Sequence, residues 1–278
     1  MKTLLICTDL DRTLIPNGRQ PESEGARRCF SRFVDDEGVS LAYVSGRHRQ
    51  LIEQAVEQYQ LPVPDYVIAD VGSTIYRNGA DGWCVWQAWS DEIGGDWQGL
   101  ESQALQVMLS DIDLLRLQEP EKQNLHKLSF YLPLTADRSA VMEAIQVRLQ
   151  AESIQANVIW SVDEQVDIGL IDILPVSANK LHAIRFLMQQ EGIDETATIF
   201  AGDSGNDLDV LLSPIPSVLV ANADDEVRQA TQTASADSLY LATGGFLGMN
   251  GNYSAGILEG VAHFHPEVVA DLVNCADG

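Results

Sequence analysis

Positive charge is scarce in this chain of 278 residues, where 17 Lys and Arg stand against 41 Asp and Glu for a formal net charge of −24. No basic block offsets that surplus, which argues against nucleic acid and anionic membranes as partners. Cysteine is also sparse. Cys7, Cys29, Cys84 and Cys275 lie too far apart for a zinc pattern or a dense disulfide framework. Long hydrophobic runs are missing. No stretch approaches membrane-spanning length without a charge, and the apolar run after Met1-Lys2-Thr3 is too short for a signal peptide. A soluble chain in the reducing cytoplasm is the resulting expectation. Internal repeats and low-complexity linkers are absent too. Hydrophobic residues nevertheless make up 45% of the chain, enough for one large domain or a core carrying a smaller insert.

What is present is an alternating rhythm. Residues 4–8 read as a short buried strand, and residues 22–36 as a helix with an apolar stripe at Ala26, Cys29, Phe30 and Phe33. Residues 39–44 read as a second strand and 64–70 as a third, with a helix through Tyr59 between them. That order predicts a parallel sheet with right-handed crossovers. The rhythm then breaks. Residues 75–90 suggest a hairpin around Asn78-Gly79-Ala80-Asp81-Gly82, followed by Trp83, Trp86 and Trp89. Helices over 98–108 and 139–150 and strands over 125–132, 157–161 and 166–174 predict a compact α+β insert. The α/β rhythm returns after Lys180, with strands at 196–201, 217–220 and 238–241 and helices at 181–190, 208–212, 224–233 and 255–264. Residues 243–254, rich in Gly and Asn, read as an irregular loop.

Four short pieces end or follow these strands or their turns. Asp9-Leu10-Asp11-Arg12-Thr13 places two carboxylates two residues apart in a loop at a strand's carboxyl end, where α/β folds open their ligand crevice. One carboxylate can attack while the other moves a proton, although acidic pairs are common in ordinary surface loops. Ser45-Gly46-Arg47 offers a hydroxyl and backbone N–H groups at a helix start, suited to phosphate oxygens and equally to a plain N-cap. Lys180 can neutralise phosphate or simply be solvated. Gly202-Asp203-Ser204-Gly205-Asn206-Asp207 adds carboxylates that, with Asp9, supply oxygen ligands suited to magnesium; such clusters are otherwise turn signals.

Taken in order, DLDRT, SGR, NK and GDSGND resemble the four motifs of the haloacid dehalogenase-like phosphohydrolase superfamily. The segments YVIADVGSTIY (66–76), QNLHKLSFYL (123–132) and GILEGVAHF (256–264) extend the likeness to the sucrose-phosphate phosphatase family across most of the chain. The resemblance implies an α/β fold: a Rossmann-like parallel-sheet core over 1–80 and 175–278, with an inserted α+β cap of the larger C2 type over 81–174. It implies Mg2+-dependent hydrolysis of a phosphomonoester, sucrose 6-phosphate in the first instance, through an aspartyl-phosphate intermediate. Phosphates of mannosylfructose, glucosylglycerol and mannosylglycerate are alternative substrates; a sugar phosphomutase or a noncatalytic sugar-phosphate binding module are alternative roles.

By the same resemblance Asp9 is the nucleophile and Asp11 the acid and base. Asp9, the Asp11 carbonyl, Asp203 and Asp207 are the metal residues, while Asp11, Ser45, Gly46 and Lys180 bind phosphate. Sugar contacts are expected among Gln118, Glu119, Gln123, Asn124, Lys127 and Ser129 of the insert, Lys127 foremost. The tryptophans are expected to pack within the cap, and His126, His182, His263 and His265 lack metal-ligand spacing. Arg12 departs from the Gly or Asn common at the middle of the first motif. The implied partner is a phosphorylated disaccharide, delivered by an upstream glycosyl-phosphate synthase.

Overall fold

The computed structural model describes residues 4–80, 82–163 and 166–277. From the amino terminus the chain runs β1 (Leu4–Thr8), α1 (Ala26–Val34), β2 (Val39–Val44), α2 (Arg49–Tyr59), β3 (Tyr66–Ala69), β4 (Thr74–Gly79) and β5 (Gly82–Val85). There follow α3 (Gln87–Gly94), α4 (Ser102–Met108), β6 (Arg116–Leu117), β7 (Leu128–Leu132), α5 (Arg138–Ala151), β8 (Ala156–Asp163) and β9 (Ile168–Pro175). The remainder is α6 (Lys180–Glu191), β10 (Thr198–Gly202), α7 (Leu208–Leu211), β11 (Ser217–Leu219), α8 (Asp225–Ala230), β12 (Leu239–Leu241), α9 (Ser254–Phe264) and α10 (Val269–Asp277). The architecture is mixed α/β with a large sheet and a smaller antiparallel one, as the Rossmann-like core plus C2-type insert requires.

The large sheet has the order β12-β11-β10-β1-β2-β3-β4-β5, and its members from β12 to β3 pair in parallel. Strand β1, LLICT, is buried at every position, because both faces of a central parallel strand are covered. From β1 the chain winds one way to β2 and β3, and after the insert it winds the other way from β10 to β11 and β12. The reversal lies between β1 and β10, so the loops leaving their carboxyl ends flank a topological switch point. Helix α1 buries Ala26, Cys29, Phe30, Phe33 and Val34, the stripe read from its sequence. It begins only after Gly25, which takes φ 76° and stops the helix from reaching back to residue 22.

Two compact units emerge from the packing. One comprises Met1–Ala69, Tyr76–Cys84 and Lys180–Gly278, and the other comprises Asp70–Ile75 and Val85–Asn179. In the second unit the sheet order is β6-β7-β9-β8, all antiparallel. Asp137 caps α5 by accepting from the Ala140 N–H, and Val141, Ile145 and Leu149 turn inward from that helix at four-residue spacing. They pack with Trp97, Leu105, Leu128, Phe130, Leu132, Ile171 and Ile173 in this unit's core.

Several elements differ from the sequence expectation. Residues 87–94 form helix α3, not the tail of a hairpin, with Trp89 and Ile93 buried one turn apart. The helix expected from residue 98 starts at Ser102, because Gln98 and Gly99 both take positive φ and break the chain's helical path. Helix α10 was not anticipated at all. Strands β4 and β5 are sheet neighbours at the expected hairpin, whose Asp81 lies outside the described residues, as does the Met1–Thr3 segment read for a leader. Among the described residues no helix is long and apolar enough to cross a membrane.

Candidate active site

Parallel register sets the site. Thr8 pairs with Ala201 on one side and with Tyr43 on the other, so Asp9, Asp203 and Ser45 all leave the sheet at nearly the same level. The Asp9 N–H donates to the Ala201 carbonyl at 2.9 Å, and the Ser45 N–H donates to the Ile68 carbonyl at 2.8 Å. Both residues are buried, as are Asp203, Asp207 and Lys180.

Lys180 opens α6, where a cation opposes the helix dipole. Its neighbours more than compensate. The ammonium donates to Asp207 Oδ1 at 2.7 Å, Asn206 Oδ1 at 3.0 Å and Asp9 Oδ1 at 3.1 Å. Burial alone would lower its pKa, but the two carboxylates raise it, so Lys180 is a fixed cation. The solvated-lysine alternative is thereby removed.

Asp207 folds back over its own turn. Its Oδ2 accepts from the backbone N–H of Asp203 at 3.0 Å and of Ser204 at 3.1 Å, closing a capping box with Ser204. This needs Gly202, since a Cβ there would stand 2.6 Å from Asp207 Oδ2. Gly202→Ala is expected to push Asp207 off Lys180 and lower kcat/KM by about 10²-fold, the scale of a misplacement near 1 Å. Steady-state kinetics at saturating Mg2+ checks this, and an unchanged value would mean the turn yields without cost.

Asp9, Asp203 and Asp207 each bring a carboxylate oxygen within 4.8 Å of the others. An all-oxygen, anionic donor set suits a hard divalent cation, and Asp203 Oδ2 is buried without accepting a hydrogen bond. The three are positioned to coordinate Mg2+. Their electrostatics agree. Burial raises the Asp9 pKa further than Lys180 lowers it, with Asp207 and Asp203 adding repulsion. Asp203 is pushed up to about 6 by burial and by Asp207, against the pull of Arg12 and Thr13. Without metal, the folded protein therefore retains protons that the unfolded chain releases near pH 4, and each such group costs stability as pH rises. In chelator, the thermal midpoint of Asp203→Asn is expected to gain on wild type as pH rises from about 4 to about 6, with Mg2+ reversing the order at higher pH. A gap that narrows over that interval in chelator would contradict the sign.

Asp11 is built differently. It is part-exposed, and Arg47 grips it with two bonds, Nε to Oδ2 at 2.7 Å and Nη2 to Oδ1 at 2.6 Å. Asn17 Nδ2 adds a third at 2.7 Å. Burial pushes the Asp11 carboxyl up, but Arg47, Asn17 and Lys180 together hold it below the usual range. Ser45 Oγ accepts from the Arg47 N–H at 3.2 Å, and Gly46 sits exposed at the same turn. Thr13 Oγ1 donates to Asp203 Oδ1 at 3.1 Å. Arg12 takes φ 59°, a left-handed conformation that costs a side-chain-bearing residue about 1–2 kcal/mol. Gly and Asn tolerate that conformation best, which explains their usual place in the motif. Arg47, Asn17 and Asn206 were not singled out from sequence. Arg47 and Asn206 stood inside quoted motifs, whereas nothing local marks Asn17.

The residues expected to contact sugar all belong to the second unit, in and beside β7. Lys127 is buried and pairs with Asp70 at 3.1 Å, and Asn124 Nδ2 donates to Asp70 Oδ2 at 3.2 Å and Ser73 Oγ at 3.0 Å. Gln123 spans the strand by accepting from the Ser129 N–H and donating to the Ser129 carbonyl. Ser129 Oγ donates to Asp172, Gln118 Nε2 to the Phe130 carbonyl, and Tyr131 to Glu119. Trp89 Nε1 donates to the Gly72 carbonyl from within this unit, whereas Trp83 packs against the core of the first. Among the histidines, none joins the acidic cluster.

Comparison with known proteins decides the family. The sequence model described as sucrose-6F-phosphate phosphohydrolase matches residues 2–265. The chain belongs to that family. It is a haloacid dehalogenase-like phosphohydrolase, an enzyme acting on phosphoric monoesters. A putative HAD-like hydrolase from Nitrosococcus oceani is 54% identical, over 96% of this chain and 73% of that one. Sucrose-phosphatase 1 from Nicotiana tabacum is 26% identical over 98% of this chain, which spans 63% of the tobacco protein. The crystal structure of the Synechocystis sucrose-phosphatase in complex with sucrose and phosphate is 28% identical, with a TM-score of 0.69 over 95% of this chain and 98% of that one.

Proposed function

We propose that this phosphohydrolase cleaves sucrose 6-phosphate to sucrose and phosphate through an aspartyl-phosphate on Asp9. The family match across residues 2–265 is the observation that carries the substrate. The buried Asp9–Lys180–Asp207 arrangement supports the chemistry.

In the first half-reaction an Asp9 oxygen forms a bond to phosphorus as the bond to the sugar oxygen breaks, and Asp11 gives that oxygen a proton. In the second, water attacks the phosphorus of the aspartyl ester, Asp11 takes the water's proton, and Asp9 is restored as phosphate departs. Lys180 neutralises charge on the nucleophile and the phosphoryl group throughout. Ser45 Oγ and the N–H groups of Asp11 and Gly46 bind phosphoryl oxygens. Asp9, the Asp11 carbonyl, Asp203 and Asp207 would hold Mg2+, which would supply charge neutralisation at the phosphoryl group. For Asp11 to carry a proton its bonds to Arg47 must loosen when substrate binds, because that bidentate pair favours the carboxylate.

We assign sugar selection to the insert over 81–174, with 1–80 and 175–278 as catalytic core. Lys127 is the leading contact, with Asn124, Glu119, Gln123 and Ser129 around it. The phosphorylated disaccharide is a product of a glycosyl-phosphate synthase. The test compares kcat/KM for sucrose 6-phosphate, mannosylfructose phosphate, glucosylglycerol phosphate and mannosyl-3-phosphoglycerate at one Mg2+ concentration. Preference for the first by at least about tenfold is expected, the scale of a few sugar-specific contacts. Equal turnover of all four overturns the substrate assignment. Lys127→Ala should impair that discrimination while sparing a tiny phosphate ester.

A further inference from the structure

Arg12 is a charged motif residue whose side chain the chemistry above leaves without a role. Its backbone is pinned in the left-handed conformation from both ends, since its N–H donates to Asn17 Oδ1 at 2.8 Å and its carbonyl accepts from Asn222 Nδ2 at 2.6 Å. Asn222 is buried and itself fixed, accepting from the Tyr253 N–H at 2.8 Å. The side chain so aimed reaches two acids. Nε lies 3.2 Å from Asp203 Oδ2, and Nη2 lies 2.6 Å from Asp224 Oδ1.

These two contacts are unequal in kind. Asp203 is fully buried, and its Oδ2 accepts no hydrogen bond, so Arg12 meets it through charge alone. Asp224 is mostly exposed, and it receives the guanidinium in a short hydrogen bond. The cation of Arg12 is thus tethered to a surface acid at the rim of a buried acidic cluster. A guanidinium on Asp203 and a divalent ion on the same carboxylate repel each other, and both draw on one negative charge.

We infer that Arg12 is a positioning residue that sets the Mg2+ affinity of the Asp9–Asp203–Asp207 site, with Asp224 as the counter-acid that draws the guanidinium away from Asp203. Asp224 acts through Arg12, not on the ion directly. The inference rests on the metal assignment made above. It makes three sequence positions interdependent: the left-handed position in the first motif, the ligand Asp203 and the acid preceding α8.

Magnesium binding to the purified full chain, measured by titration calorimetry without substrate, tests it. Arg12→Asn, which keeps a residue suited to the backbone conformation, should tighten Mg2+ on the order of tenfold. Arg12→Lys should stay near wild type, separating charge from shape. Asp224→Asn should weaken binding roughly threefold in the wild-type background and leave the Arg12→Asn protein unchanged. Binding that is unchanged or weaker in Arg12→Asn overturns the inference, as does an equal Asp224→Asn effect in both backgrounds. Asp203→Asn serves as control. If wild type and Asp203→Asn take up Mg2+ equally, the metal assignment itself fails and the inference falls with it; if Asp203→Asn loses Mg2+ but Arg12→Asn does not tighten it, the site stands and the role of Arg12 does not.

Discussion

Asp9→Asn is expected to abolish phosphate release, by at least about 10⁴-fold in kcat, while the protein stays folded. Two independent effects are at work. An amide of the same shape cannot form the phosphoryl ester, so the first half-reaction loses its nucleophile. At the same time Asp9 is a buried carboxylate whose ionisation is disfavoured by burial and by Asp207 and Asp203. Removing that charge relieves repulsion, and Lys180 keeps Asp207 as its partner. The thermal midpoint in chelator should therefore hold or rise as activity disappears. A variant that loses activity only because it unfolds would refute the separation of the two effects.

Lys180→Met carries the second large effect, and this one does reach stability. The ammonium is buried among Asp9, Asp207 and Asn206, and a methionine of similar length leaves those oxygens facing one another. Breaking a buried pair from one side costs about 3–5 kcal/mol, which for a chain of this size lowers the midpoint by roughly 10 °C. Activity should fall with it, since the transferring phosphoryl group loses its fixed cation. Combining Lys180→Met with Asp9→Asn should recover part of the lost stability by removing one of the stranded charges. Calorimetric melting of the single and double variants in chelator measures that recovery, and strictly additive losses would contradict the shared-charge account.

The core of this site was legible because its ligands follow parallel strands. A run such as LLICT is apolar at every position only when both sheet faces are covered, so Asp9 directly after it marks the exit of a buried strand. Likewise GDSGND follows β10 at the matching level, which register then places beside Asp9. Sequence alone could not distinguish Ser45 from a plain N-cap or Lys180 from a solvated lysine, since burial of a polar side chain depends on neighbours distant along the chain. Helix α3 was hidden for a different reason. Trp89, Ile93 and Trp97 repeat at four-residue spacing, but Gly94-Gly95 and the adjacent tryptophans obscured the period. The left-handed turn at Arg12 has no local signal either. It is enforced by Asn17 and Asn222, one of them 210 positions away.

The same distinction applies to the insert. Residues expected to contact sugar also bond within their own unit, Gln123 across Ser129 and Lys127 to Asp70. A polar stretch beside a strand looks alike in sequence whether it faces ligand or stitches the sheet.

The measurement that tests the central claim most directly is acid quenching during steady-state turnover of sucrose 6-phosphate with Mg2+, followed by mass analysis of the peptide holding residues 4–12. The account predicts a phosphoryl group on Asp9 that disappears when substrate is exhausted and never forms in Asp9→Asn. Turnover with no phosphorylated peptide, or with the group on another residue, would contradict it.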